Sequence, residues 1–290
     1  MLGSYRFGRV SRPESRFRAK GGLVTADHDY REELATAEEA VREAGLIVMR
    51  LFKGKFDIRE KSKNNPVTTA DIEANRRIRE IITGRFANDG WLSEEDQDSP
   101  KRLSSSRIWI IDPIDGTKEF IEGVPQFAVS IGFVVDGRPT VAAVYNPAED
   151  SLYKAAADQG AYLNDKPISV SQRSSLEGAL LLVSRSEPQR KFQAFVDHCE
   201  IQKVGSIAFR LAKIAGGDGD GTLTFRSIHE WDICAGVLIV LEAGGKVVDG
   251  PGAGLMFNRP QAKHRGVVAA NTSLADGLQR LWVEAMARNT

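Results

Sequence analysis

The stretch Ile108-Trp109-Ile110-Ile111-Asp112-Pro113-Ile114-Asp115-Gly116-Thr117 sets the strongest constraint on how this chain can fold. Its apolar β-formers predict a short buried strand from Ile108 to Ile111, stopping where the first charge appears. Asp112 then stands at the strand's carboxyl end, Pro113 fixes φ and removes a donor, and Gly116 permits a turn that a side chain would obstruct. Two carboxylates and the Thr117 hydroxyl are gathered on one tight loop. Asp112 and Asp115 can converge across it, and two carboxylates that share a site repel unless one is protonated or a cation neutralises them. A hard divalent metal is the natural neutraliser. Asp-Pro and Asp-Gly are also ordinary turn dipeptides, so the loop taken alone reads equally well as a structural turn.

Composition narrows the function classes. The 290 residues, 42% hydrophobic, are enough for one large or two medium domains with a core that needs no stapling. Basic and acidic residues balance at 39 each, so no overall field draws the chain to nucleic acid or an anionic membrane, and an anionic ligand must be held by a local site. Cys199 and Cys234 are the only cysteines; they exclude a disulfide framework and a zinc site and suit a reducing cytoplasm. The four histidines are scattered, and none pairs with a Ser or Cys in a recognisable nucleophile context. No apolar run approaches membrane-spanning length.

In chain order, residues 1–28 form a basic tail in which Arg6, Arg9, Arg12, Arg16, Arg18 and Lys20 face Glu14; the composition predicts disorder, and it also resembles a transit peptide interrupted by Pro13. From Tyr30 to Phe52, Leu34, Ala37, Val41, Ala44, Val48 and Leu51 recur at helical spacing. A polar loop around Lys61 leads to a second helix with Ile72, Ile78, Ile81, Ile82 and Phe86 on its buried side. Asp71 falls in that helix's first turn, where the macrodipole alone favours a carboxylate by about 0.3–1 kcal/mol. Trp91-Leu92-Ser93-Glu94-Glu95-Asp96 reads as a strand end delivering at least one carboxylate inward. Residues 127–135 and 140–145 flank Asp136-Gly137, a hairpin signal, and two further short strands with an Asn164-Asp165 turn complete an antiparallel meander.

After about residue 171, strands at 179–183, 222–225, 246–248 and 266–270 alternate with helices, which divides the chain into an α+β half, 29–170, and an α/β half, 171–290. Gly205-Ser206 opens a helix running to about Gly216; its free backbone donors make either an anion site or a simple cap. Residues from His229 to Ala243 form a helix apolar nearly all round, hence buried, so Asp232 at its start needs a metal, an Arg or a Lys opposite it. Asp71, Glu94, Asp112, Asp115 and Asp232 thus supply five carboxylates at element ends, with Thr117 beside them. All-oxygen ligands suit magnesium, and two such ions about 3.5–4 Å apart are a known arrangement for hydrolysing phosphate esters.

Thr68-Thr69-Ala70-Asp71, Ser93-Glu94-Glu95, Asp112 to Thr117 and Trp231-Asp232-Ile233-Cys234-Ala235-Gly236 follow the motif order of the inositol monophosphatase superfamily, which the chain resembles from about residue 30 to its end. The resemblance implies an αβαβα layered sandwich and a magnesium-dependent phosphatase acting on a small phosphate ester. It puts Glu94, Asp112 and the Ile114 carbonyl on a first metal and Asp112, Asp115 and Asp232 on a second, with a third, weaker ion near Glu94. Thr117 and Asp71 would orient and deprotonate the attacking water. Many relatives are homodimers, so a homodimer is compatible with it.

For the substrate, Lys118-Glu119-Phe120 and Ser184-Arg185-Ser186 resemble the 3'(2'),5'-bisphosphate nucleotidase branch, of the CysQ type. The inositol branch carries an acid seven positions before the Trp-Asp aspartate; Phe225 stands there, an apolar surface for a base, with Arg226 beside it to meet a second phosphate. Gly205-Ser206-Ile207-Ala208-Phe209-Arg210 departs from the Gly-Ser-Ser-Leu-Lys pattern of that branch, leaving Arg210 or Arg226 to replace its lysine. The expected substrate contacts are therefore Gly116, Lys118, Ser184, Arg185, Gly205, Ser206, Arg210, Phe225 and Arg226. The expected reaction is hydrolysis of adenosine 3',5'-bisphosphate to AMP, with an inositol or sugar phosphatase of the same fold as the alternative.

Overall fold

A computed structural model describes residues 29–62 and 65–288; the basic tail, and Lys63-Asn64 in the segment read as a loop, lie outside the described residues. Helix α1 (Arg31–Leu51) buries Ala37, Val41, Ala44 and Val48, as its spacing requires. The expected polar loop is instead an antiparallel hairpin, β1 (Ile58–Ser62) with β2 (Asn65–Thr68). It feeds α2 (Thr69–Arg85), whose start is locked by a capping box: Thr68 Oγ1 accepts the Ala70 N–H and the Asp71 carboxylate accepts the Thr68 N–H. Ala70, Ala74, Ile78, Ile81 and Ile82 face the core. Ile72 does not: it is 51% exposed, since one residue past Asp71 turns a side chain about 100° away from the buried stripe.

Strands β3 (Gly90–Ser93) and β4 (Arg107–Asp115) are followed by a short helix α3 (Thr117–Ile121) and then by β5 (Ala128–Val135), β6 (Arg138–Asn146), β7 (Ser151–Ala156), β8 (Ala161–Leu163) and β9 (Lys166–Ile168). These seven strands pair in chain order, antiparallel except for β3 with β4. The β5–β6 turn is made by Asp136 and Gly137 at φ 48° and 77°, the left-handed pair that a tight hairpin demands. Strand β4 does not end at its first charge. It runs on to Asp115, and because Asp112 pairs with Ser130 while Asp115 pairs with Ala128, one extra residue is held in a bulge. Backbone pairing outlasts the apolar run because β5 continues to offer partners.

The second sheet contains β10 (Ala179–Ser184), β11 (Cys199–Val204), β12 (Gly221–His229), β13 (Gly245–Asp249) and β14 (Lys263–Asn271), in the order β11-β10-β12-β14-β13. Helices α4 (Gln193–Val196), α5 (Ile207–Ala215), α6 (Glu230–Glu242) and α7 (Ala275–Arg288) connect or follow these strands. Strand β11 escaped the sequence reading because it is a largely polar edge with Glu200 and Lys203 turned outward. Helices α1 and α2 cover one face of the seven-stranded sheet, with Ala37, Val41, Ile78 and Ile82 against Trp109 and Phe133. On the other face α5 and α6 fill the space between the sheets, where Leu211 and Ile233 join Ile110, Ala142 and Ala269. Helices α4 and α7 close the outer face of the five-stranded sheet. The stack is the αβαβα sandwich that the motif resemblance implied. No helix among the described residues is long and apolar enough to cross a membrane.

Phe225 belongs to that outer core rather than to a substrate surface. Its ring stacks on Trp282 at 5.9 Å with Phe192 and Phe195 at 5.5 and 6.2 Å, because β12 turns Leu223 and Phe225 toward α4 and α7. Phe225→Ala should therefore lower the unfolding free energy by about 3–5 kcal/mol in urea denaturation, as emptying a packed aromatic site does. A loss below about 1 kcal/mol, the size typical of an exposed position, would contradict this placement.

Candidate active site

Three chain elements deliver carboxylates to one place. Glu94 follows the last residue of β3, Asp112 lies beside the β4 bulge, and Asp232 occupies the first turn of α6. Each offers an oxygen, and these atoms lie within 4.8 Å of one another. Asp112 Oδ1 accepts the Ile114 N–H at 3.0 Å, whereas its buried Oδ2 has no hydrogen bond. Asp232 Oδ2 accepts the His229 N–H at 2.9 Å. Burial raises both aspartates well above the usual carboxylate range, and neighbouring charges, Glu94 and Asp115 prominent among them, push the same way. An orphaned, buried carboxylate oxygen surrounded by like charge is chemically suited to a hard cation with oxygen ligands, which is what magnesium requires.

Asp115 is bound differently. Its Oδ2 accepts the Ser206 hydroxyl and the Ala208 N–H, both at 2.6 Å, at the start of α5. Burial lifts it to about 6 against those two hydrogen bonds. The anion at this helix start is thus supplied by the chain itself, which corrects the expectation that Gly205 and Ser206 are open to substrate. The Gly205 N–H donates to Gln126 Oε1 at 2.9 Å, and Ser206 Oγ also accepts the Phe209 N–H at 3.0 Å. The Asp115 charge also acts on Asp112 and Asp232, raising both.

A second arrangement adjoins the first. Asp71 Oδ2 accepts the Thr68 N–H at 2.7 Å and the Thr68 hydroxyl at 2.6 Å, while Thr117 Oγ1 lies 3.1 Å from Asp71 Oδ1 and 3.1 Å from the Ile114 carbonyl. Burial lifts Asp71 to about 6, partly offset by the Thr68 hydrogen bonds. Gly116, at φ 98°, makes the turn from β4 into α3 that aims Thr117; a side chain there would meet the Gln126 carbonyl at 3.0 Å.

In the acidic run, Glu95 also turns inward; burial raises it to about 7, although Lys61 hydrogen-bonds to it. Lys61 Nζ donates to Glu94 Oε1 and Glu95 Oε1 at 2.8 Å each, a cation that sequence reasoning did not assign to the site. Reading the segment that starts at Lys61 as a polar loop hid it; two short extended runs separated by two residues are a hairpin signal that could have revealed it. Asp96 accepts the Trp91 indole N–H at 2.7 Å and pairs with Arg79, and so braces the β3 turn.

Beside α3 lies a cavity of about 310 Å³ lined by Lys118, Glu119, Glu122, Arg185, Ser186 and Lys203. Arg185 bonds Glu119 at 3.3 Å and Glu122 at 2.9 Å; Ser184 and Ser186 are linked at 3.0 Å, and Arg226 donates to Ser186 Oγ at 2.6 Å. The structure thus brings Lys118, Ser184, Arg185 and Arg226 together, and adds Lys203 from the unrecognised β11. Arg210 is not among them. It is buried, donating to Thr222 Oγ1 at 3.1 Å and to the Leu182 and Leu223 carbonyls at 3.4 Å, and burial pulls its guanidinium down to about 10. Its position on the sheet-facing side of α5, which a one-dimensional motif does not specify, keeps it from the groove.

The sequence profile of the inositol monophosphatase family matches residues 29–287. The chain is 36% identical over 234 residues to an inositol-1-monophosphatase of Synechocystis, covering 77% of this chain and 81% of that one. It is 33% identical to the Nus factor SuhB of Pasteurella multocida, covering 74% and 84% respectively. The solved structure of a Thermotoga maritima IMPase superposes with a TM-score of 0.80 at 29% identity, over 89% of this chain and 99% of that chain. With its layers, its acidic cluster and its Asp71–Thr117 pair in one place, this chain belongs to the inositol monophosphatase family, whose members are metal-dependent phosphoric monoester hydrolases.

Proposed function

We propose that this protein hydrolyses inositol 1-phosphate or a related sugar phosphate, with Glu94, Asp112 and the Ile114 carbonyl holding one magnesium ion and Asp112, Asp115 and Asp232 a second. The observation that carries this reading is the orphaned oxygen of Asp112, one of three mutually repelling carboxylates and five residues before Thr117 in the chain. Magnesium bound there supplies Lewis acidity and neutralises charge on the phosphoryl group. Asp71 is the base and Thr117 its relay: as water attacks phosphorus, its proton passes to Thr117 Oγ1 while the hydroxyl proton moves to Asp71 Oδ1. The new P–O bond forms, the ester P–O bond breaks, and the departing alkoxide is protonated by solvent. Thr68 orients the Asp71 carboxylate through two hydrogen bonds, and a carboxylate raised to about 6 is a stronger base than an ordinary one while staying largely ionised at neutral pH. The name of the Synechocystis relative supports the inositol substrate. The buried free thiols of Cys199 and Cys234 suit a cytoplasmic setting.

A second reading, the 3'(2'),5'-bisphosphate nucleotidase, is favoured by one feature: Lys118, Arg185, Lys203 and Arg226 surround the groove and could meet a second phosphate. Against it, the aromatic platform expected at Phe225 is in the core. Initial rates at fixed magnesium on inositol 1-phosphate, fructose 1,6-bisphosphate and adenosine 3',5'-bisphosphate decide between them. We expect the highest kcat/KM on inositol 1-phosphate; a clear preference for the adenosine compound would install the second reading instead.

The metal assignment has its own check. Asp112→Asn should remove turnover while keeping the fold, and should abolish the magnesium-induced rise in Tm, worth about 2.7 kcal/mol at a hundredfold excess over Kd in the unaltered protein. Undiminished stabilisation by magnesium in that variant would refute the ligand set. Thr117→Val should lower kcat by about 100- to 10,000-fold with little change in KM, the loss typical of removing a proton-transfer group. Wild-type kcat would remove Thr117 from the chemistry.

A further inference from the structure

Glu187 has no part in the roles assigned above, yet it is among the most buried charges in the protein, 1% exposed. It follows Ser184-Arg185-Ser186 off the end of β10. Its Oε1 accepts the Thr224 hydroxyl at 2.8 Å, the Phe225 N–H at 3.0 Å and the Arg226 N–H at 3.2 Å; its buried Oε2 makes no hydrogen bond. These donors sit where β12 slips its register against β14, between Thr224 and Ser227. A bulge leaves consecutive N–H groups without ladder partners, and one carboxylate oxygen gathers both. The consequence is directional: Phe225 enters the outer core, while Arg226 turns out, donates to Ser186 at the groove and keeps its Nε 3.7 Å from Glu187. A neutral acceptor would satisfy the bulge amides alone. A charge serves two arginines, because the buried Arg210, whose Nε has no hydrogen bond, is supported electrostatically by Glu187 ahead of its other acidic neighbours.

We propose that Glu187 is a positioning residue for substrate recognition: it sets the β12 bulge that presents Arg226 at the groove rim, to the hydroxyl-rich or anionic part of the substrate remote from the reacting phosphate. The inference rests on the groove beside α3 being where that part of the substrate lies. It gives this chain a specificity contact whose support comes from the segment after β10, not from the segment before the Trp231-Asp232 motif.

Glu187→Ala, Glu187→Asp, Glu187→Gln, Arg226→Ala and the Glu187→Ala/Arg226→Ala double variant are compared with the unaltered chain. Amide hydrogen exchange is followed over residues 222–228, and kinetics are measured on inositol 1-phosphate, adenosine 3',5'-bisphosphate and p-nitrophenyl phosphate, the last lacking any remote polar group. Glu187→Ala should expose the Phe225 and Arg226 amides to faster exchange and raise KM for the better of the two natural esters about tenfold, the scale of one charged hydrogen bond, with a much smaller shift for the aryl phosphate. Glu187→Asp, which keeps the charge but withdraws it by one methylene, should do the same and serves if the alanine variant does not fold. Glu187→Gln, which retains the acceptor, should restore amide protection and most of KM. The double variant should be no worse than Arg226→Ala. Unchanged exchange in both shortened variants, or KM effects that multiply in the double variant, would overturn the proposal. Absence of turnover on all three esters in the unaltered chain would instead sink the phosphatase reading, and the exchange comparison would still decide whether Glu187 sets the bulge.

Discussion

The arrangement of this protein depends on an electrostatic conflict that the fold enforces. Glu94, Asp112 and Asp232 come from a strand end, a strand bulge and a helix start, and their oxygens fall within 4.8 Å of one another. No single element could do this: Asp112 lies beside the β4 bulge, and Asp232 arrives from a helix wedged between two sheets. Left alone, such a cluster destabilises the folded state through burial and repulsion. The burial of α6, apolar on nearly every side, holds the conflict in place, and a divalent cation bound there would resolve it.

Several neighbouring interactions make sense as management of that charge. Asp115 is tied to the start of α5 through Ser206 and Ala208, so the positive end of that helix offsets part of the cluster. The same bond joins the metal loop of the seven-stranded sheet to a helix that packs on the five-stranded one. Lys61 supplies a positive charge from the β1–β2 hairpin to Glu94 and Glu95. Thr68 serves both as helix cap and as the group that orients Asp71, so a local folding signal and the alignment of the proposed base share one hydroxyl. Away from the cluster, Lys118, Arg185 and Lys203 line the groove next to α3 together with Glu119 and Glu122, which pair with Arg185.

Much of the candidate site was legible in the sequence. Asp71, Glu94, Asp112, Asp115, Thr117 and Asp232 each stand at a change of local texture, where an apolar or helical run meets a charge, and motif resemblance gave them an order. Lys61 and Lys203 were missed, since both lie on short, mainly polar strands: the hairpin signal around Lys61 was read as a loop, and β11 is an edge strand paired only with β10. Phe225 and Arg210 were read as facing the ligand because their positions in a motif suggested it, but strand alternation and helix rotation turn both inward.

What the amino-acid sequence determined on its own was the inventory: helices from three-and-four periodicity, hairpin turns from Asp-Gly and Asn-Asp, and a set of oxygen ligands without a zinc or disulfide alternative. These are properties of neighbouring residues, so they survive without knowledge of the fold. The tertiary structure alone decided which face each side chain presents, that Asp115 rather than a substrate occupies the start of α5, and that Glu187 grips the β12 bulge. Each of those outcomes requires groups remote in the chain to compete for the same donors, and such competition is settled only when the layers are packed together.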